Sequence, residues 1–226
     1  MPSVTSRSPL SRDRVIAAAV AVADADGLSA LTMRSLATSL GVKPMSVYHY
    51  FSGKDEILDA LVDVVFAEIE VPTDREDWQD AMRHRAHSAR EALRRHPWVL
   101  PLMESRLHAG PATLGHHDAV LGVLLDAGFP MPETAHAYSV LDAYVYGFAL
   151  QEAALPFEGS EEAANVAKEM TAAFADGAYP HLVAFSMQHV LQPGYDYGAE
   201  FDFGLELILA ALERRRHIPL GVRREY

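Results

Sequence analysis

The chain has no cysteine in its 226 residues. Disulfides and thiolate-ligated zinc or iron–sulfur sites are therefore excluded. No uninterrupted apolar run reaches the ~20 residues that cross a bilayer. The amino-terminal stretch MPSVTSRSPLSRDR lacks the apolar core of an export signal. A soluble cytoplasmic protein with no membrane partner is expected. Positive charge is also scarce, with 19 Lys/Arg against 31 Asp/Glu and a formal net charge of −12. The cations are unevenly spread. Residues 1–54 carry six Lys/Arg (Arg7, Arg12, Arg14, Arg34, Lys43, Lys54) and three acids, whereas the remainder carries thirteen and twenty-eight. Affinity for DNA rests on local cationic contacts to phosphate. The amino-terminal segment can therefore meet DNA while the acidic remainder stays away from it.

What is present reads almost entirely as helix. Val15, Ala18, Ala19, Val22 and Ala23 form one stripe between Arg12 and Ala25. Ser11 can cap that helix and Gly27 can end it. Thr32 is a candidate N-cap for Met33–Leu40, which Gly41 closes. A third short helix runs from about Pro44 to Tyr50. Ser52 opens a fourth of about 17 residues, with Ile57, Leu58, Leu61, Val65 and Ile69 on its apolar face. Further helical segments fall at roughly 76–95, 98–107, 113–127, 132–153, 161–175, 180–187 and 200–217, separated by Pro- and Gly-containing breaks. No strand-like alternation and no internal repeat occurs.

Two short helices joined at a glycine that takes a left-handed conformation cheaply match a helix-turn-helix, whose second helix enters the DNA major groove. Leu36, Leu40, Val42 and Val47 would pack beneath the turn. Arg34, Lys43, Met45, Ser46, Tyr48 and His49 would face outward. Lys54, at a helix start, suits a phosphate. Taken alone, helix–glycine–helix is equally the pattern of a small packed helical unit.

The joint pattern resembles the TetR family of bacterial transcriptional repressors. It is carried by Leu31-Thr32, Arg34, Leu36-Ala37, Leu40-Gly41-Val42, Val47-Tyr48-His49-Tyr50-Phe51, Lys54 and Leu58. Two positions depart from it: Lys43-Pro44 follows the turn where the family usually has Ser or Thr, and His49-Tyr50 reverses the usual order. The resemblance implies an all-α protein with two parts. Residues 1–58 would form a three-helix helix-turn-helix DNA-binding domain, and residues 59–226 a helical effector-binding and dimerisation domain. Arg34, Met45, Ser46 and His49 are the implied base-side set, Tyr48, Tyr50 and Lys54 the phosphate contacts, and Lys43 a further DNA-facing residue. Tyr50 has core packing as an alternative. Arg7, Arg12 and Arg14 form either an arm along the groove or a loose tail.

In the remainder, the stripe Phe201, Leu205, Ile208 and Leu212, with Gly204 and Ala211, resembles the family's last dimerising helix. Ala135, Tyr138, Leu141, Val145 and Phe148 would lie on its partner helix. The alternative is a stripe buried within one chain. An effector pocket is implied, with candidates Trp98, Met103, Arg106, Leu107, His136, Tyr144, Phe148, Gln151 and Phe185. The positions with which tetracycline repressors hold drug and magnesium read Glu70, Arg85, Ala89 and Met103 here, so neither ligand is expected. The implied function is a homodimeric repressor that binds a palindromic double-stranded DNA operator and is released by a small hydrophobic effector.

Catalytic and metal readings are weaker. Neither Gly-x-Ser-x-Gly nor a phosphate-binding Gly-x-x-x-x-Gly-Lys-Ser/Thr occurs. His84 and His87 sit three apart, and His116 and His117 are adjacent, but no third ligand follows at a recognisable spacing. His84 and His87, among Arg83, Arg85 and Arg90, read as a solvated face. No catalytic residue, metal ligand or cofactor is expected.

Overall fold

Helix α1 spans Arg12–Asp26, and its start is fixed by Ser11, whose side chain accepts from the Arg14 N–H. Gly27, at φ 75°, ends it. The structure is a computed structural model and describes residues 9–71, 77–103, 105, 108–157, 162, 164–166, 168–169 and 179–216. Among these it is helical throughout, with no strand. Helix α2 (Met33–Leu40) begins with a reciprocal cap, in which Thr32 Oγ1 accepts from Ser35 N–H and Ser35 Oγ from Thr32 N–H. Both bonds satisfy backbone donors that a helix start leaves open. Gly41 closes α2 in the left-handed region (φ 66°, ψ 35°). Helix α3 is a five-residue piece, Pro44–Tyr48, with proline in its first turn and no side-chain cap from Lys43. Helix α4 (Lys54–Glu68) follows Gly53, two residues later than the Ser52 start read from sequence.

The core of α1 to α4 is the face expected from the 3.6-residue period. Val15, Ala19, Leu31, Leu36, Val47, Phe51, Ile57, Leu61 and Val65 are all 1% exposed or less. Ala18 and Val22 are only half-buried.

Beyond α4 come α5 (Trp78–Arg95), a 3₁₀ turn (Pro97–Val99) and α6 (Leu100–Met103). Then follow α7 (Pro111–Asp126) and α8 (Met131–Ala153). Helix α7 starts two residues before the expected 113, because proline occupies its first turn. Helix α9 is Pro180–Phe185, continued by one π-helical turn, Ser186–Val190, and α10 is Ala199–Arg216. Most of the helix expected over 161–175 lies outside the described residues.

The chain divides into two compact units, Met1–Tyr138 and Ser139–Tyr226. In the first, α4 lies against α1, α5 and α7. The Trp78 ring meets Phe129 edge-on at 4.9 Å. In the second, Tyr144, Phe148, Tyr197 and Phe201 form an aromatic cluster with centroid separations of 4.9–6.1 Å. The α10 stripe expected as a dimer face is instead covered within the single chain, as its alternative had it. Phe201, Leu205, Leu209 and Leu212 are buried, while Ile208 is half-buried. On α8, Ala135 is exposed, and Ala137, Leu141, Val145, Phe148 and Ala149 form the buried stripe.

Candidate nucleic-acid interface and its link to the body

Burial of Val47 and Phe51 beneath α3 turns the rest of that helix outward. Lys43, Met45 and His49 are exposed, as is Tyr48, and Ser46 is half-buried. Met45 is 68% exposed and Tyr48 45% exposed. Arg34 on α2 is exposed beside them in sequence order. A protruding thioether and phenol next to cations suit a groove that offers thymine methyls, base edges and phosphates. Lys54 opens α4, and its Nζ donates to the Leu28 carbonyl at 3.2 Å. The ammonium is held at the helix start, where N–H groups also favour an anion.

Two residues take other roles. Tyr50 is half-buried, and its hydroxyl donates to the Leu10 carbonyl at 2.6 Å. That geometry favours its packing alternative. Arg12 is neither a groove arm nor a loose tail. It lies in α1, 4.1 Å over the Phe51 ring, and donates to the Tyr50 carbonyl (2.9 Å) and to Glu56 (2.7 Å). Glu56 also accepts from the Ser52 N–H at 2.8 Å. The Ser52 N–H, with the Arg12 guanidinium beside it, holds this carboxyl below its usual range. The arrangement clamps α1 to the start of α4. Arg14 likewise belongs to α1, and Arg7 lies outside the described residues.

Helix α4 is tied down at three depths. At its middle, Asp63 accepts from the Thr113 N–H (2.8 Å) and hydroxyl (3.0 Å) at the start of α7. A Cβ on Gly110 would fall 2.2 Å from Asp63 Cγ, so only glycine allows that approach. At its end, Glu68 accepts from Arg95 (2.7 Å) and meets His96 Nε2 at 3.2 Å. His96 Nδ1 in turn lies 2.7 Å from Asp24 on α1, and Trp98 Nε1 donates to the same Asp24 oxygen at 2.6 Å. The last turns of α1 and α4 thus share one polar knot with the α5–α6 connection. Nothing in the sequence signals it, because 72 residues separate Asp24 from His96.

The candidate effector residues are distributed as follows. In the first unit, Trp98 is 9% exposed with its N–H engaged by Asp24, Met103 is half-buried, and His136 is exposed. In the second, Tyr144 donates to the Glu200 and Phe201 carbonyls (3.1 and 2.9 Å), and Phe148 is buried. Gln151 and Phe185 are exposed, and Gln151 accepts from the Tyr197 hydroxyl. Arg106 and Leu107 lie outside the described residues.

One expectation is overturned. His84 and His87 do face solvent, but Arg85 does not share their face. It is 1% exposed, and its Nε donates to His116 Nε2 at 3.0 Å. Helical geometry turns position 85 inward with Met82, Ala86 and Ala89. His116 is fully buried; burial first, then the Arg85 charge and His117, lower its pKa from 6.5 to about 3. Among the described residues no three His, Asp or Glu side chains converge as a metal site, and no helix is long and apolar enough to cross a membrane.

Comparison with known proteins meets this geometry. The profile of the tetR family of bacterial regulatory proteins matches residues 15–61, and that of the tetracyclin repressor-like C-terminal domain matches residues 71–216. The transcriptional repressor DrrR1 of Streptomyces coeruleorubidus is 36% identical over 94% of this chain and 80% of its own length. The class C tetracycline repressor protein of Escherichia coli is 31% identical, covering 92% of both chains. The crystal structure of ActR from Streptomyces coelicolor in complex with actinorhodin superposes with a TM-score of 0.77 at 27% identity, over 92% of this chain and 98% of that one. With both profiles matched and relatives alike over four-fifths or more of their lengths, the chain belongs to the tetR family of transcriptional regulators.

Proposed function

We propose that this chain is a transcriptional repressor that binds a palindromic operator as a homodimer and is released by a small, flat, hydrophobic effector. The observation that carries the reading is the exposed α3 face. Met45 and Tyr48 on α3, and Lys43 and His49 flanking it, are exposed while Val47 is fully buried, with Lys54 at the start of α4. A helix of this kind fits a groove about 12 Å wide, and symmetric pairs of such heads read palindromes.

The division of labour we assign is a DNA-binding part over 1–58 and an effector-binding, dimerising part over 59–226. They would meet within α4. Val140, Leu150, Phe203 and Leu207, between 41% and 66% exposed on α8 and α10, supply the dimer face. A repressor of that name at 36% identity and a related protein crystallised with actinorhodin support the repressor and effector assignments. We assign no catalytic residue and no cofactor, and place the protein in the cytoplasm with its DNA.

Release follows from differential affinity. An effector that prefers the conformation with mis-spaced heads weakens operator binding by its preference between the two states. Movement of α4 would reach α1 through Glu68, His96 and Asp24. Selection of bound fragments from random or genomic DNA by the purified protein tests the reading. A palindrome with half-sites about one helical turn apart, or a multiple of it, is the expected result. Recovery of no enriched sequence at low salt would overturn it.

A further inference from the structure

His116 is fully buried on α7, and its two ring nitrogens stand in different circumstances. Nε2 lies 3.0 Å from Arg85 Nε, which can only donate. Nε2 must therefore be the bare acceptor, and in a neutral ring the proton sits on Nδ1. Nδ1 is buried and, among the described residues, has no hydrogen-bond partner. A buried donor without an acceptor is costly in a folded protein, and an arginine that fixes the tautomer keeps that N–H permanently presented. The surroundings are aromatic. The Phe66 ring lies 5.6 Å from His116, and the His117 ring lies 6.1 Å from His116 and 5.2 Å from Phe66. His117 is itself held by the Tyr138 hydroxyl at 2.7 Å. Phe66 belongs to α4, between the Asp63 tie to α7 and the Glu68 tie to His96.

We propose that the Nδ1–H of His116 is the recognition donor for the effector, which is an aromatic molecule bearing an acceptor oxygen, either a ketone or a carboxylate. This deepens the effector reading above and rests on it. Arg85 acts as a positioning residue. Its guanidinium fixes the imidazole tautomer and adds positive potential that favours the anionic form of the acceptor. A ligand ring in contact with Phe66 would bear on α4 directly, which gives the occupant a route to the head.

The test uses the full-length protein and three matched probes: fluorene, 9-fluorenone and fluorene-9-carboxylate. Calorimetric titration should show both oxygen-bearing probes binding about tenfold or more tighter than fluorene, as expected for satisfying a buried donor. The carboxylate exceeding the ketone would assign an anionic effector, and the reverse a neutral one. In His116→Phe the preference for oxygen should vanish, and His116→Asn, which keeps a donor, should restore part of it. Thermal denaturation checks that both variants fold. If they do not, ¹⁵N-labelled imidazole resonances of the unaltered protein decide. They should show a neutral, Nδ1-protonated ring whose proton moves downfield with fluorenone and not with fluorene. Equal binding of all three probes, binding of none, or an unmoved Nδ1 proton would overturn the proposal. Operator selection is read separately. Oxygen preference without any selected operator would defeat the regulatory reading and leave the donor assignment standing.

Discussion

On the proposed reading, single side chains divide into those assigned to DNA and those that hold α1 to α4 together. Lys54 belongs to the first group. Lys54→Ala should weaken binding to every sequence alike and reduce the salt dependence of log affinity by about one unit of slope, measured by titration at several salt concentrations. Lys43 stands at an uncapped helix start. Lys43→Thr should therefore stabilise the protein by about 0.5–2 kcal/mol in thermal denaturation, while lowering DNA affinity through the lost cation. His116 supplies a pH signature. Its folded pKa of about 3 lies below its ordinary 6.5. The unfolded chain takes up the proton first, so stability falls as pH drops below about 6.5, by up to about 1.4 kcal/mol per pH unit, until about 3. Glu56, also held low, adds a loss that begins only below its ordinary 4.5. Denaturant titrations from pH 7 to pH 4 should show the His116 slope, and His116→Phe should remove it. Arg85 was not legible at this scale. The run His84 to His87 looks like a solvated basic face, and only packing of α5 against α7 shows position 85 pointing inward.

Helices and their ends were the most legible level, because caps and periodicity are local. Ser11, Thr32, Gly27 and Gly41 perform the roles their residue types suggest. The α4 face appears as its spacing implies, with Ile57, Leu58, Leu61, Val65 and Ile69 all buried. Errors arise where a stripe could be shifted by one position, as with Ile208 and Leu209 on α10, since both neighbours are apolar. The knot of Asp24, Glu68, His96 and Trp98 was invisible because its members come from three distant segments. Two substitutions probe element packing. A Cβ on Gly204 would fall 2.2 Å from the Tyr144 hydroxyl oxygen, which is pinned by the Glu200 and Phe201 carbonyls. Gly204→Ala should cost about 1–3 kcal/mol in denaturant unfolding, with Tyr144→Phe relieving part of it. Trp98→Phe removes the donor to Asp24 while keeping an aromatic ring. If the knot transmits effector binding, this variant should bind the operator yet respond less to effector; an unchanged response would remove the knot from the route.

For the whole molecule, the proposed function depends on pairing two heads at a fixed spacing. Phe203 and Leu207 lie exposed, 66% and 58%, on a helix whose other side is packed. Leu207→Glu should convert the dimer to monomer in sedimentation velocity and abolish tight operator binding, because a single head forfeits half its phosphate contacts. The acidic excess after residue 54, twenty-eight Asp/Glu against thirteen Lys/Arg, would resist non-specific attachment of that part to DNA and leave binding to the proposed head. The central claim is therefore one of stoichiometry on a symmetric site. Sedimentation of the purified protein with its selected palindromic duplex should give two chains per duplex, with sharply weaker binding to a single half-site. One chain per duplex, or equal affinity for the half-site, would contradict it.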